Sequence, residues 1–439
     1  MRESESGVSE TPLVPHRGSV SQAKTMSLPS VGWGERLREG MRSFLAELGL
    51  SAERLTVIGL LAVLLLGAYF RFLNQNWDNS QHLHPDERFL TMVGSAIQPP
   101  ANLAEYFNTD ASPLNPHNKG FGFFVYGTLP VFIVRYTAGW LDSACTTGWL
   151  KGLCAFDIYS DYDHIFLLGR SLSAIADLLS LVLVFFIGRR LYDRRIGLLA
   201  AFLYAIAVFP IQQAHFYTVD AMSTTFVVAT MYFAVRIADE GRWWDYVLAG
   251  ILMGMAVASR VNVAVLGGVI GLAAAMHALK FLPRLRTDAE FRELVVLRTA
   301  NLFIVAMLLA VIVFRIGQPY AFTGPGFLGV QLNPKWLANM EEIAGQLSGE
   351  RESPPGIQWA GRIMYFDPWK NIVLWGLGLP LGLAAWGAWL WAIIRSLASL
   401  RRVFAALHVN TQAQQEWRSH ILTVIWIGGY FFVAARSWS

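Results

Sequence analysis

Apolar stretches of about 20 residues recur along this chain, and that is the length an α-helix needs to cross roughly 30 Å of hydrocarbon. In that solvent every backbone N–H and C=O must be satisfied within the protein. A helix achieves this alone, whereas an open sheet leaves its edges bare. Nine segments qualify: 55–73, 165–188, 196–210, 219–238, 246–259, 262–282, 299–316, 371–397 and 421–435. A tenth, 121–141, is ambiguous. Of the 439 residues 54% are hydrophobic and 15% charged, and the mean hydropathy is +0.41. A soluble domain needs more polar surface than this, so the expected fold class is all-α, a polytopic transmembrane bundle of about nine spans in a cell membrane.

Basic residues set the orientation, because Lys and Arg flanking a span stay on the cytoplasmic side. Arg36, Arg38, Arg42 and Arg54 place the N-terminus inside, and residues 1–54, rich in Ser, Glu and Arg, read as a flexible cytoplasmic tail. Further inside loops carry Arg189, Arg190, Arg194 and Arg195, then Lys280, Arg284, Arg286 and Arg292, then Arg395, Arg401 and Arg402. If 121–141 crossed the membrane, the four-arginine loop would face outward and the segment with Asp142, Asp157, Asp161 and Asp163 inward, against the rule on both counts. Gly127, Pro130 and Arg135 within it also suit an interfacial helix. The expected organisation is therefore a transmembrane module over 55–316 with a first outer loop at 74–164, a second outer loop at 317–370, and C-terminal helices over 371–439. The net charge of +4 fits cytoplasmic loops facing anionic lipid, and no nucleic-acid partner is expected. Cys145 and Cys154 share the first outer loop, where a disulfide and two free thiols are both open readings.

The chemistry-bearing residues concentrate on that outer side. His82-Leu83-His84-Pro85-Asp86-Glu87-Arg88-Phe89 places adjacent carboxylates behind a proline that suits a helix start. Alone, the pair is as consistent with an exposed acidic first turn as with a working site. Arg170 and Arg260, at outer helix ends, either snorkel or hold an anion such as a phosphate, which the guanidinium fork grips with two bonds. His84, His117 and His215 are candidate metal ligands with a carboxylate, though no tight ligand spacing supports them, and a divalent metal cofactor stays open. Asp177, deep in a span, is either functional or paired with a neighbouring helix. Aromatics of the second outer loop, including Trp336 in Asn333-Pro334-Lys335-Trp336, suit a sugar platform or an interfacial belt. No nucleotide fingerprint is present: Gly376-Leu377-Gly378 lies in an apolar helix.

The segment from His84 to Leu90, its place after the first span, and an ordered series downstream resemble the GT-C superfamily of membrane glycosyltransferases. The resemblance is nearest to bacterial proteins similar to protein O-mannosyltransferases and to the lipid A aminoarabinose transferase. The series comprises Tyr126-Gly127-Thr128-Leu129-Pro130, Gly169-Arg170-Ser171, Gly188-Arg189-Arg190-Leu191-Tyr192, Thr218-Val219-Asp220-Ala221-Met222 and Ala258-Ser259-Arg260. It spans about residues 55–320, and no single motif in it is specific.

The resemblance implies transfer of a sugar from a polyprenyl-phosphate carrier to a protein, lipid or glycan acceptor at the outer face. It implies Asp86 and Glu87 as the catalytic carboxylates, Asp86 as general base and Glu87 positioning the acceptor or the base, Arg170 and Arg260 on the donor phosphate, and Tyr126 and Asp220 as substrate contacts. A transporter or lipid-binding protein without catalysis is the competing class. The sequence departs from the family where a double proline is reduced to Leu129-Pro130, where Arg260 replaces a lysine, and where the chain stops just beyond an apolar helix. It is read as either a short member or a truncated sequence.

Overall fold

The computed structural model describes the backbone of residues 51–351, 361–405 and 411–435, and side chains over the same ranges except 403–405 and 411–419. Nearly all of the expected N-terminal tail lies outside these residues. The described part is helical, and its one β-bridge joins Phe322 to Leu332.

The helices that matter for the site are α1 (Ala52–Phe72), α2 (Pro85–Ala96), α3 (Thr128–Thr146), α4 (Ile165–Leu191), α5 (Arg194–Ala205), α6 (Val208–Ala214), α7 (Asp220–Glu240), α8 (Trp243–Val257), α9 (Leu266–Ala278), α10 (Ala289–Gly317), α11 (Pro334–Ser348), α12 (Leu379–Ala405) and α13 (Thr411–Ala434). Their ends follow local chemistry. Asp193 caps α5 by accepting from the amides of Arg195 and Ile196, and Asp288 caps α10 by accepting from that of Phe291. Gly241 closes α7 at φ 61°, a backbone conformation that costs glycine nothing.

Six helices among the described residues are long and apolar enough to span a membrane: α1, α4, α7, the stretch Val261–Thr287 containing α9, α10, and the Leu379–Arg402 part of α12. The pair α5 and α6, bent by 59° at residues 206–207, makes a seventh if taken as one broken span. The two remaining expected spans are apolar but shorter: α8 and the His420–Ala434 part of α13. The expected nine thus become six or seven by length and composition. The ambiguous segment 121–141 becomes α3, which is not among the spanning candidates. Its buried side is formed by Pro130, Val131, Phe132, Val134 and Ala138, and it packs on α4 and α2.

One core lies between α7, α8, α9 and α10, and a second joins α2, α3 and the first half of α4. Backbone contact holds α8 against α10. A methyl group on Gly250 would sit 2.3 Å from the Ala306 carbonyl oxygen, and one on Gly254 2.6 Å from that of Ala310. Small residues four apart on both helices permit this approach, as in membrane helix pairs generally. Between α1, α4 and α5, Arg71 donates to Asp177 at 2.5 Å, Tyr204 donates to the same carboxylate at 2.6 Å, and Arg71 also reaches the carbonyls of Gly67 and Ala205. Asp177 is therefore paired with a neighbouring helix, the second of its two readings. Cys145 and Cys154 form a disulfide that closes the loop after α3.

If α3 lies along the surface of the membrane, the exposed residues on either side of it share one compartment. Asp110→Cys and Lys151→Cys should both react with an impermeant maleimide from the same side, and labelling from opposite sides would overturn the interfacial assignment.

Candidate functional site

The two adjacent carboxylates after α1 have opposite fates. Pro85 opens α2, His84 caps it by accepting from the Glu87 amide through Nδ1 at 3.2 Å, and the helical turn then sends Asp86 outward and Glu87 inward. Asp86 is exposed, whereas Glu87 is wholly buried.

Burying an isolated carboxylate is prohibitively unfavourable, so Glu87 requires a partner. Arg170 of α4 supplies it. Its Nε and Nη2 donate to the two Glu87 oxygens, each at 2.7 Å. Nη1 and Nη2 donate to the two oxygens of Asp78 at 3.0 Å, and Nη1 also reaches the Gln75 carbonyl at 2.8 Å. Every N–H of the guanidinium is thereby used. The Tyr217 amide adds a bond to Glu87 at 2.8 Å, and the rings of Trp77 and Phe166 lie over the cation. Burial raises the pKa of the Asp78 carboxyl, but the Arg170 hydrogen bonds and charge, with the Leu83 amide, outweigh it and hold the group below the ordinary carboxylate range. Gly169, the residue before Arg170, makes room for this arrangement: a methyl group there would lie 2.3 Å from the Tyr217 ring.

Arg170 therefore has no donor left for a phosphate and no exposed surface from which to offer one. The expected phosphate contact at this position gives way to a structural ion pair. Arg260 is different. It stands between α8 and the short helical turn Val261–Val265, is partly exposed, and binds Asp220 at the start of α7 at 2.7 Å. Its Nε is buried and without a protein partner.

The segment before α3 brings Tyr126 to this arginine. The amides of Gly127 and Leu129 donate to the carbonyls of Ser259 and Ala258, at 3.1 and 3.4 Å. A side chain at Gly127 would strike the Ala258 oxygen at 2.2 Å, so only glycine permits the approach. Thr128 donates through its hydroxyl to the Gly317 carbonyl and through its amide to the Gln318 side chain, tying the same turn to the end of α10. The Tyr126 phenol lies close enough to Asp86, Arg260 and Asp220 to feel the charge of all three. Burial first, then the nearby Asp86 carboxylate, push the Tyr126 pKa up, so this phenol stays a neutral donor at physiological pH.

Asp86, Tyr126, Arg260 and Asp220 thus form one polar cluster at a single end of the bundle, with Glu87 and Arg170 buried behind it. The candidate metal ligands do not join it as a set. His84 Nδ1 is committed to the Glu87 amide, both nitrogens of His215 face carbonyl oxygens, of Ile211 and Leu73, and His117 lies in the short helical turn Pro116–Lys119. Among the described residues no group of three or more His, Cys, Asp or Glu side chains is placed to hold a metal ion. Sequence reasoning missed Asp78 and Arg71. Asp78 sits in an ordinary polar loop with no motif to mark it, while Arg71, at the end of an apolar helix, carried the signal of a cation at membrane depth.

Residues 166–314, which contain Arg170, Asp220 and Arg260, match the family model described as dolichyl-phosphate-mannose-protein mannosyltransferase. The chain resembles GT-C membrane glycosyltransferases. Similar solved structures include the Saccharomyces cerevisiae protein O-mannosyltransferase Pmt1-Pmt2 complex bound to the sugar donor, at 15% identity and TM-score 0.41, covering 65% of this chain and 36% of that one. They also include the Archaeoglobus fulgidus oligosaccharyltransferase AglB in complex with an inhibitory peptide and a dolichol-phosphate, at 15% identity and TM-score 0.45, covering 88% and 49%. The chain thus spans between about a third and half of the length of these structures. Sequence comparison with curated proteins gives no significant match.

The two arginines should separate experimentally. Arg170→Met leaves two buried carboxylates without their cation, a loss of about 3–5 kcal/mol for breaking a buried pair. It should sharply lower the thermal midpoint of the detergent-purified protein. Arg260→Met, whose partner Asp220 is partly exposed, should shift that midpoint little.

Proposed function

We propose that this protein is a glycosyltransferase that moves a sugar from a polyprenyl-phosphate carrier to an acceptor hydroxyl at the extracytoplasmic face. The observation that carries the reading is that an exposed carboxylate, Asp86, and a partly exposed arginine, Arg260, both stand close enough to Tyr126 to act on its phenol, with Asp220 paired to the arginine. The family match over residues 166–314 supports a lipid-linked donor.

In this mechanism Asp86 is the general base. It takes the proton of the acceptor hydroxyl as that oxygen attacks the anomeric carbon from the face opposite the phosphate. The bond from the anomeric carbon to the phosphate oxygen breaks, and its electron pair leaves with the phosphate. Arg260, whose side chain is partly open to solvent, neutralises the charge that develops there. Direct displacement inverts the anomeric configuration. Tyr126, kept neutral beside Asp86, is a donor within its reach, while Asp220 holds Arg260 in place. Glu87 does not touch substrate: with Arg170 and Asp78 it anchors the first turn of α2 and so fixes where Asp86 stands. The described residues offer no assembled set of metal ligands, and no step is routed through a metal.

Asp86→Asn keeps shape and removes basicity. A positioned base is worth about a hundredfold to ten-thousandfold in rate, so turnover in a purified transfer assay should fall by that order, with donor binding and thermal midpoint retained. Turnover near the wild-type rate would remove Asp86 from the base role. Arg260→Met should weaken use of the lipid-phosphosugar donor, and unchanged donor dependence would return Arg260 to a surface ion pair.

A further inference from the structure

A cavity of about 170 Å³ lies at the end of the bundle opposite the polar cluster, where the turn from α7 to α8, the end of α9 and the first half of α10 meet. Tyr246, His277, Phe281 and Phe291 wall it with rings. Gly241 admits the His277 ring, because a methyl group there would lie 2.2 Å from Nε2. Along α10, Phe291, Leu294, Val295 and Arg298 face the cavity at spacings of three and four, one side of the helix. An apolar cavity of about 150 Å³ stays dry and takes up a small apolar group.

Arg298 interrupts that apolar side. It is exposed, and its neighbours on α10, Leu294, Val296 and Leu297, are 64, 56 and 53% exposed, so they offer the bilayer an apolar surface around it. A guanidinium among lipid-facing side chains demands an anion. The protein gives it one long bond, from Nη2 to the Gly241 carbonyl at 3.4 Å, and among the described residues no carboxylate pairs with it. Glu293, the nearest acidic residue along α10, is five residues away and so lies about 140° around the helix. The other basic residues near the cavity have carboxylates of their own: Arg190 and Arg242 pair with Glu240, Lys280 with Asp239, and Arg284 with Asp288.

We propose that this cavity and Arg298 form a binding site for an anionic phospholipid, its phosphate held by Arg298 and a stretch of acyl chain lodged against the rings. A phospholipid brings an anion and hydrocarbon to this depth together. A zwitterionic one carries its own cation beside the phosphate, so it competes poorly for the guanidinium. The bound lipid bridges the α7–α8 turn to α10. It sits about 30 Å from the polar cluster, the length of the 21-residue α7.

The test uses the full chain in detergent and follows its thermal midpoint against added phosphatidylglycerol, phosphatidylcholine or glycerol 1-phosphate. Phosphatidylglycerol should raise the midpoint saturably. The other two, one without net charge and one without chains, should not. Arg298→Gln should raise the phosphatidylglycerol concentration needed about tenfold or more, the worth of a hydrogen bond to a charged group, and leave the midpoint without added lipid unchanged. Val295→Phe, which places a ring in the cavity, should weaken the response similarly. Arg286→Gln removes an equally exposed charge from the same end and should have no effect; weakening as large as that of Arg298→Gln would mean diffuse attraction to a basic surface and overturn the proposal. Protection by glycerol 1-phosphate, an equal response to phosphatidylcholine, or an unchanged response in Arg298→Gln or Val295→Phe would overturn it too. Arg260→Met should keep the response, and its loss there would place the lipid at the polar cluster instead.

Discussion

The ion pair between Arg170 and the carboxylates of Glu87 and Asp78 is the contact on which the polar end of the bundle depends. It is fully shielded from solvent, so its desolvation cost is large and is offset only because the hydrogen bonds are complete. It joins three pieces of chain that are distant in sequence: the loop after α1, the first turn of α2, and α4. The Tyr217 amide adds the approach to α7 as a fourth. Together with the His84 cap, it fixes the first turn of α2 and so the direction in which Asp86 points.

Arg170 and Arg260 carry the same side chain into opposite circumstances. Arg170 is enclosed and saturated, so it can only hold structure. Arg260 has one carboxylate partner, Asp220, and a side chain partly open to solvent, so it is able to meet a ligand. A guanidinium at membrane depth demands an anion in both cases. What separates structure from function is whether the protein itself supplies that anion in full.

Much of this was legible in the chain, and the rest was not for definable reasons. The long spans could be read because hydrocarbon thickness imposes a length on them, whereas α8 is apolar but shorter than that length and the α5–α6 pair is bent by 59°. Pro85 announced the start of α2. The sequence could not say which of Asp86 and Glu87 turned inward, because adjacent residues at a helix start differ by only one step of rotation and the deciding partner lies 83 residues away. Asp78 was invisible for the same reason: its role comes from Arg170 and not from its neighbours. The Tyr126-Gly127-Thr128 turn was located by its resemblance to a family pattern, yet its physical purpose, a backbone-to-backbone approach to Ala258 and Ser259, emerges only in three dimensions.

The contact between α8 and α10 carries a mechanical consequence. With Gly250 and Gly254 seated against the carbonyls of Ala306 and Ala310, no side-chain layer separates the two helices to act as a bearing. They can tilt together but cannot slide past one another. Arg260, just beyond α8, and Gln318, just beyond α10, are therefore carried on a single lever, and the Gly127–Thr128 turn is pinned to both helices at that end.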